Sequence, residues 1–112
     1  NALDQAHLLN LRLVEMFHTA PILLCPTTAG VTPRNDLGGL GLINGVEDMN
    51  WVQLTYPFNM TRSPAATVTV GRSSSGVPIG LQVVGPQHSD QLVLRATAAL
   101  EGLIGFSELA EI

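Results

Sequence analysis

The sequence predicts an α/β fold, a mixed sheet with flanking helices, from three observations. Leu3, Ala6, Leu9, Leu13 and Phe17 recur at intervals of three or four, the period of an amphipathic helix over residues 3 to 18. The apolar run Ile22-Leu23-Leu24-Cys25 follows at once and is closed by Pro26, which is the length and texture of a strand. Farther along, Thr67-Val68-Thr69-Val70 and Ile79 to Val84 are two β-rich runs joined by a Gly-, Ser- and Pro-containing loop from Gly71 to Pro78. They read as an antiparallel pair. A helix that leads directly into a buried strand belongs to an α/β layer.

Taken in order, Leu8, Leu11 and Val14 widen the apolar stripe of the first helix, and Asp4 lies in its first turn, where a negative charge favours the helix dipole. Pro21 bars continuation. The 22 to 25 run has no polar alternation, so burial on both faces is expected. From Pro26 to Gly45 the composition shifts to Pro, Thr, Gly and Asn, a loop of about 20 residues, and loops of that length commonly line a site or have been separated from their neighbours. Asn44, three residues before Glu47, predicts the cap of a short helix carrying Trp51, Val52, Leu54 and Tyr56, which Pro57 ends. Ser89, with Asp90 in the first turn, predicts the cap of a last helix over about 89 to 103, with Val93, Ala96, Leu100 and Leu103 on its buried stripe and Gly105 after it. Three strands and three helices leave an unpaired apolar edge at Ile22 to Cys25, which calls for another chain, a missing domain, or a cover such as the Phe106 to Ile112 tail. Asn1-Ala2 has the look of a tag remnant, and residues 3–112 read as one unit.

The chain has 112 residues, 46% hydrophobic and 12% charged, which fits one globular domain or a piece of one. At 11.9 kDa a self-contained fold would expose roughly 6,000 Å² against about 17,000 Å² unfolded. Five basic and nine acidic residues give a net charge of -4 without a run of either sign, which argues against nucleic acid or an anionic membrane as partner. All five basic residues are arginines, at 12, 34, 62, 72 and 95. The absence of lysine excludes from this chain any chemistry needing a lysine base, a Schiff base or a P-loop lysine. The single Cys25 rules out an internal disulfide and fits a reducing, cytoplasmic setting. No apolar stretch approaches the roughly 20 residues of a membrane-spanning helix.

No catalytic, cofactor or metal constellation emerges from these residues. His7, His18 and His88 have no second ligand-type side chain four residues away, so a metal site is not expected. Ser73-Ser74-Ser75 lack both the P-loop lysine and the strand-turn-helix setting of a nucleophilic serine, and read as a solvated hairpin turn. Cys25, in an apolar strand without a neighbouring base, reads as a core filler. Glu47-Asp48 read as first-turn acids.

The string Pro-Phe-Asn-Met-Thr-Arg-Ser-Pro-Ala-Ala-Thr-Val-Thr-Val-Gly from Pro57, then Gly-Val-Pro-Ile-Gly-Leu-Gln-Val-Val-Gly ending at Gly85, resembles the C-terminal segment of the amidase signature family. Asn59, Thr61, Pro64, Ala65, Gly71, Gly76, Pro78, Gly80, Leu81, Gln82, Gly85, Asp90 and Ala96 fall on that pattern in order, and Leu23 to Thr27 look like the family's apolar strand ending in Pro-Thr. Gly80 and Gly85 suit close approach beside a strand, Pro78 stiffens its entrance, and Gln82 can satisfy backbone groups within a sheet. Three departures stand out: Arg62 where the family prefers Gly, Thr69 where it prefers Pro, and Pro21 where an Asp commonly begins the strand.

The resemblance implies amide hydrolysis or transfer through a lysine, a cis-linked serine and a nucleophilic serine, all in parts of the family's fold that this chain does not contain. It therefore implies no catalytic residue here and no cofactor. It implies a small-molecule amide as partner of the whole protein, pocket lining by the loop after Pro26-Thr27, and self-association of the fragment through its free edge. The alternative is a noncatalytic module that recruits a partner through that edge.

Overall fold

The computed structural model describes residues 1–31, 33 and 35–105, the side chain of Leu37 excepted; the tail considered as an edge cover lies outside the described residues. Helix α1 spans Ala2–Thr19. The Asn1 side-chain oxygen accepts hydrogen bonds from the backbone N–H groups of Leu3 and Asp4 at 2.9 and 3.1 Å, satisfying donors that a helix start otherwise leaves open. Pro21 occupies the exposed bend after α1, outside the helix, where its missing N–H breaks no helical hydrogen bond.

Strand β1 is Leu23–Pro26, β4 Ala65–Arg72 and β5 Pro78–Val84. They form one antiparallel sheet in the order β1-β5-β4. Between them lie a second hairpin, β2 Gly41–Ile43 and β3 Val46–Asp48, a 3-10 turn at Met49–Val52 and α2 at Tyr56–Thr61. Helix α3 spans Asp90–Ile104.

The central strand β5 has a helix layer on each face. Val84 packs with Leu13 of α1 and Phe58 of α2, together with Leu9, Met16, Phe17, Leu23 and Cys25. Val83, pointing the other way by strand alternation, packs with Val68 of β4 and Val93 of α3, together with Ile22, Ala66, Leu81, Ala96 and Leu100. Gly85 is where the chain leaves β5 for α3. A β-carbon there would lie 2.6 Å from the Ser89 hydroxyl and 2.7 Å from a Val93 methyl, so only glycine lets α3 close onto the sheet this tightly.

Several expectations need correction. β1 is not buried on both faces: Leu23 and Cys25 are half-buried but Leu24 is 47% exposed, because only the face toward α1 is covered at this edge. The stretch from Pro26 to Gly45 is not one long loop, since β2 opens the small hairpin inside it. Asn44 does not cap a helix; Asn44 and Gly45 both have positive φ, 53° and 82°, the backbone of a tight turn between antiparallel strands. The cap falls to Asp48, whose side chain accepts from the Asn50 N–H at 2.7 Å. Pro57 does not end a helix but sits in the first turn of α2, where its missing N–H is harmless. Ser89 precedes α3 without a side-chain cap; its hydroxyl donates to the Pro86 carbonyl at 2.6 Å instead. Leu103 is exposed, not part of the buried stripe.

Candidate functional site

The segment after β1 is fastened at several points. The Thr27 N–H donates to the Gly80 carbonyl at 3.0 Å and the Ala29 N–H to the Trp51 carbonyl at 2.8 Å, and Val31 bridges Leu42. Gly80 permits the first of these approaches, because a β-carbon there would sit 2.7 Å from the Thr27 hydroxyl and 2.8 Å from a Thr67 methyl. Trp51 is held in turn by its indole N–H, which donates to the Gly39 carbonyl at 3.0 Å.

A cleft of about 380 Å³ opens between this segment, the β2 end of the small hairpin and the tip of the β4–β5 hairpin. Val31, Leu42, Val77 and Ile79 give it apolar walls, and Thr28, Asn44 and Ser73 bring polar side chains to its rim. Apolar walls with a few polar groups are the ordinary make-up of a small-molecule pocket. Residues 26 and 28–31 of the loop expected to line a substrate pocket border this cleft. Asn44 was missed as a lining residue because Asn-x-x-Glu reads as a cap; the Asn-Gly pair was the better signal.

The serines of the hairpin tip hold the turn. The Ser73 N–H donates to the Val77 carbonyl at 2.8 Å, the Val77 N–H donates to the Ser73 hydroxyl at 3.1 Å, and the Ser73 and Ser75 hydroxyls lie 2.9 Å apart. Arg72 donates to the Gly76 carbonyl at 2.8 Å. Neither an imidazole nor a carboxylate takes part in these four contacts. On the α1 face, Gln82 is buried and its amide donates to the Leu54 carbonyl at 3.2 Å and to the Cys25 sulfur at 3.4 Å. It thereby ties the segment before α2 to the sheet. Among the described residues no group of three or more His, Cys, Asp or Glu is placed to hold a metal, and no helix is long and apolar enough to cross a membrane.

The family model described as Amidase matches residues 1–94. The chain belongs to the amidase family. The fold agrees: the chain superposes on a bacterial aryl acylamidase of the amidase signature enzymes with a TM-score of 0.75 and 27% identity, covering 96% of this chain and 25% of that one. In sequence this amidase chain is 34% identical over 99 residues to the fatty acid amide hydrolase of Medicago truncatula, covering 85% of this chain and 16% of that protein. It is 32% identical over 94 residues to the 6-aminohexanoate-cyclic-dimer hydrolase of Pseudomonas sp. (strain NK87), covering 74% and 19%. The chain thus spans about a sixth to a fifth of the length of these curated relatives.

Two departures from the family pattern acquire a place in this amidase fold. Arg62 has φ 55° and ψ 33°, the left-handed conformation that closes a helix and that glycine adopts without strain. Thr69 pairs with Gly80 just before an irregularity in the β4–β5 ladder between Thr69 and Gly71, a setting in which a strand also tolerates proline.

Proposed function

We propose that this chain is the C-terminal portion of an amidase that hydrolyses carbon–nitrogen bonds of small-molecule amides, and that it supplies one side of the sheet and a wall of the substrate pocket. The match to the amidase family over residues 1–94 carries this reading. The pocket wall is the cleft between the Pro26–Val31 segment and the β4–β5 hairpin tip.

Acyl transfer by this family's route needs a nucleophilic serine, a cis-linked serine and a lysine, and the chain has no lysine. The hydroxyls of Ser63, Ser73, Ser75 and Ser89 are engaged locally. The catalytic residues accordingly belong to the larger polypeptide, and the 112 residues alone are inactive. We read the compartment as cytoplasmic, on the single unpaired thiol. In isolation the chain associates with a second copy through the outer edge of β1, since β5 is its only sheet neighbour among the described residues.

The test is ammonia release from a panel of simple primary amides, with the 112-residue chain and with the full reading frame that encodes it. Turnover by the full polypeptide and none by the fragment is expected. The reading fails if the full frame lacks a lysine and a Gly/Ser-rich serine pair. It also fails if the fragment turns over and loses that turnover when Ser73, Ser74 and Ser75 are replaced together by Ala.

A further inference from the structure

The cleft between the Pro26–Val31 segment and the β4–β5 hairpin tip is built without charge. Among the described residues that line it there is no Asp, Glu, Arg or His; its walls are aliphatic, and three polar side chains, Thr28, Asn44 and Ser73, border it. Two of the three are committed within the protein. The Thr28 hydroxyl donates to the Gly30 carbonyl at 3.1 Å, and the Ser73 hydroxyl accepts from the Val77 N–H at 3.1 Å and lies 2.9 Å from the Ser75 hydroxyl. Among the described residues the Asn44 carboxamide has no hydrogen-bond partner. It is nonetheless held in place. Its backbone takes φ 53° in the turn before Gly45, and Ile43 pairs with Val46 across that turn. Gly30 stands against the Leu42 carbonyl and Gly41 against the Trp51 ring, each with no room for a β-carbon, so the small hairpin is clamped between the loop and the indole. A polar group on a fixed turn meets a ligand with little further ordering to offset.

Resting on the pocket reading above, we propose that Asn44 is a specificity-determining residue, and that the cleft takes the far end of an amide substrate that carries a second, uncharged carboxamide on an aliphatic chain. An Asn side chain offers both N–H donors and a carbonyl acceptor, and its complement is a group that also donates and accepts. A carboxylate brought into this cleft loses water without gaining a cation, and an ammonium loses water without gaining an anion. A plain alkyl end suits Val31, Leu42, Val77 and Ile79 but leaves the Asn44 amide desolvated and unpaired, which costs more than the hydrogen bond itself contributes. A neutral carboxamide at the end of an alkyl chain satisfies both the walls and Asn44. The bond that is hydrolysed is the substrate's other amide, outside the cleft.

The experiment uses the polypeptide encoded by the full reading frame. It measures kcat/KM for succinamide, adipamide and suberamide, for the monoacid of each, in which one carboxamide is a carboxylate, and for the alkyl amide of the same chain length. The best dicarboxamide is expected to exceed both of its analogues by at least about fivefold. Asn44→Gly keeps the left-handed turn and removes the carboxamide, and should lower the ratio of dicarboxamide to alkyl amide turnover by the same factor. Asn44→Asp, which also tolerates that φ, should do so by removing the donors. A role confined to holding the turn lowers both substrates together and leaves the ratio as it was. A smaller change in the ratio, or a monoacid handled as well as the dicarboxamide, overturns the inference and leaves the amidase activity standing. If none of the amides is hydrolysed, the proposed activity fails instead and calorimetry decides the cleft: dicarboxamide binding that Asn44→Gly weakens by that factor supports it, and no binding, or a smaller loss, overturns it.

Discussion

Helices α1 and α3 cover opposite faces of the same strand, and they do so by different means. α3 follows β5 after a short turn and closes locally: Gly85 brings Val93 against Val83, and one apolar stripe is buried. α1 reaches Val84 from the other end of the chain and shares that face with α2. Its cover is composite, and it is completed by polar ties, Gln82 to the Leu54 carbonyl and Gln87 to the Thr61 carbonyl at 2.6 Å. The difference teaches that a locally closed face depends on close approach, whereas a composite face depends on side-chain volume and on bonds that fix separate segments.

The largest effect should come from volume on the composite face. Leu13 is buried among Phe58 and Val84, so Leu13→Ala is expected to cost about 3 kcal/mol in chemical denaturation, as large-to-small changes in cores do. Leu11→Ala, on the outer side of the same helix, should stay within about 0.5 kcal/mol. Equal losses would mean that the two sides of α1 are not distinct in this chain.

Close approach on the local face should rank next. Gly85→Ala places a β-carbon against Ser89 and Val93, and overpacking of this kind costs about 2 kcal/mol. Adding Ser89→Ala should recover part of that loss by removing the hydroxyl, while Val93 continues to resist. No change in the unfolding midpoint on Gly85→Ala would show that α3 can step away from β5 freely.

The polar tie is expected to be smaller. Gln82→Leu removes the donor to the Leu54 carbonyl and should cost about 1 kcal/mol. Amide exchange should rise in residues 53–61 more than in α3, because only the composite face is held this way. Uniform exchange across both helices would instead make Gln82 a general core residue.

The same division explains what the sequence disclosed. β4, β5 and α3 were legible because their signals are local: β-branched runs, a turn-forming loop and a helical period within forty residues. The strand at 23–26 was legible as a strand, but not its half-open burial, which depends on what lies across the sheet. Between Thr27 and Thr61 the local signals competed. Asn44 satisfied a capping pattern and a turn pattern at once, and the Gly45 that follows decided for the turn. Pro57 can stop a helix or start one, and the sheet packing of Phe58 decided for the start. The cleft joins residues from three separated stretches, 26–31, 42–44 and 73–80; the first two lie in the Pro26 to Gly45 segment whose length and composition already suggested a site-lining loop, whereas the hairpin tip comes to it only through the folding of the sheet.

A last effect, similar in size to that of the polar tie, runs in the opposite direction and isolates one element of the composite face. Arg62 closes α2 with the Ser63 N–H donating to the Phe58 carbonyl at 3.1 Å and its own N–H to the Asn59 carbonyl at 3.4 Å, the paired bonds of a helix end that turns through a left-handed residue. Any side chain at that φ is strained by its β-carbon, whatever it contacts further out. Arg62 also borders a groove with Ala6, His7, Met60 and Gln87, so a change to glycine removes strain and side-chain packing together. Arg62→Ala removes the packing alone and keeps the β-carbon. The difference in stability between the two variants therefore reports the backbone alone, and glycine should be more stable than alanine by about 1 kcal/mol, read as a higher thermal midpoint at equal concentration. α3 ends on Gly105, already left-handed at φ 64°, and offers no comparable gain. Equal midpoints for the Gly and Ala variants would mean that residue 62 leaves the left-handed region in solution, and that α2 is held to the sheet by Phe58 and the glutamine ties without this turn.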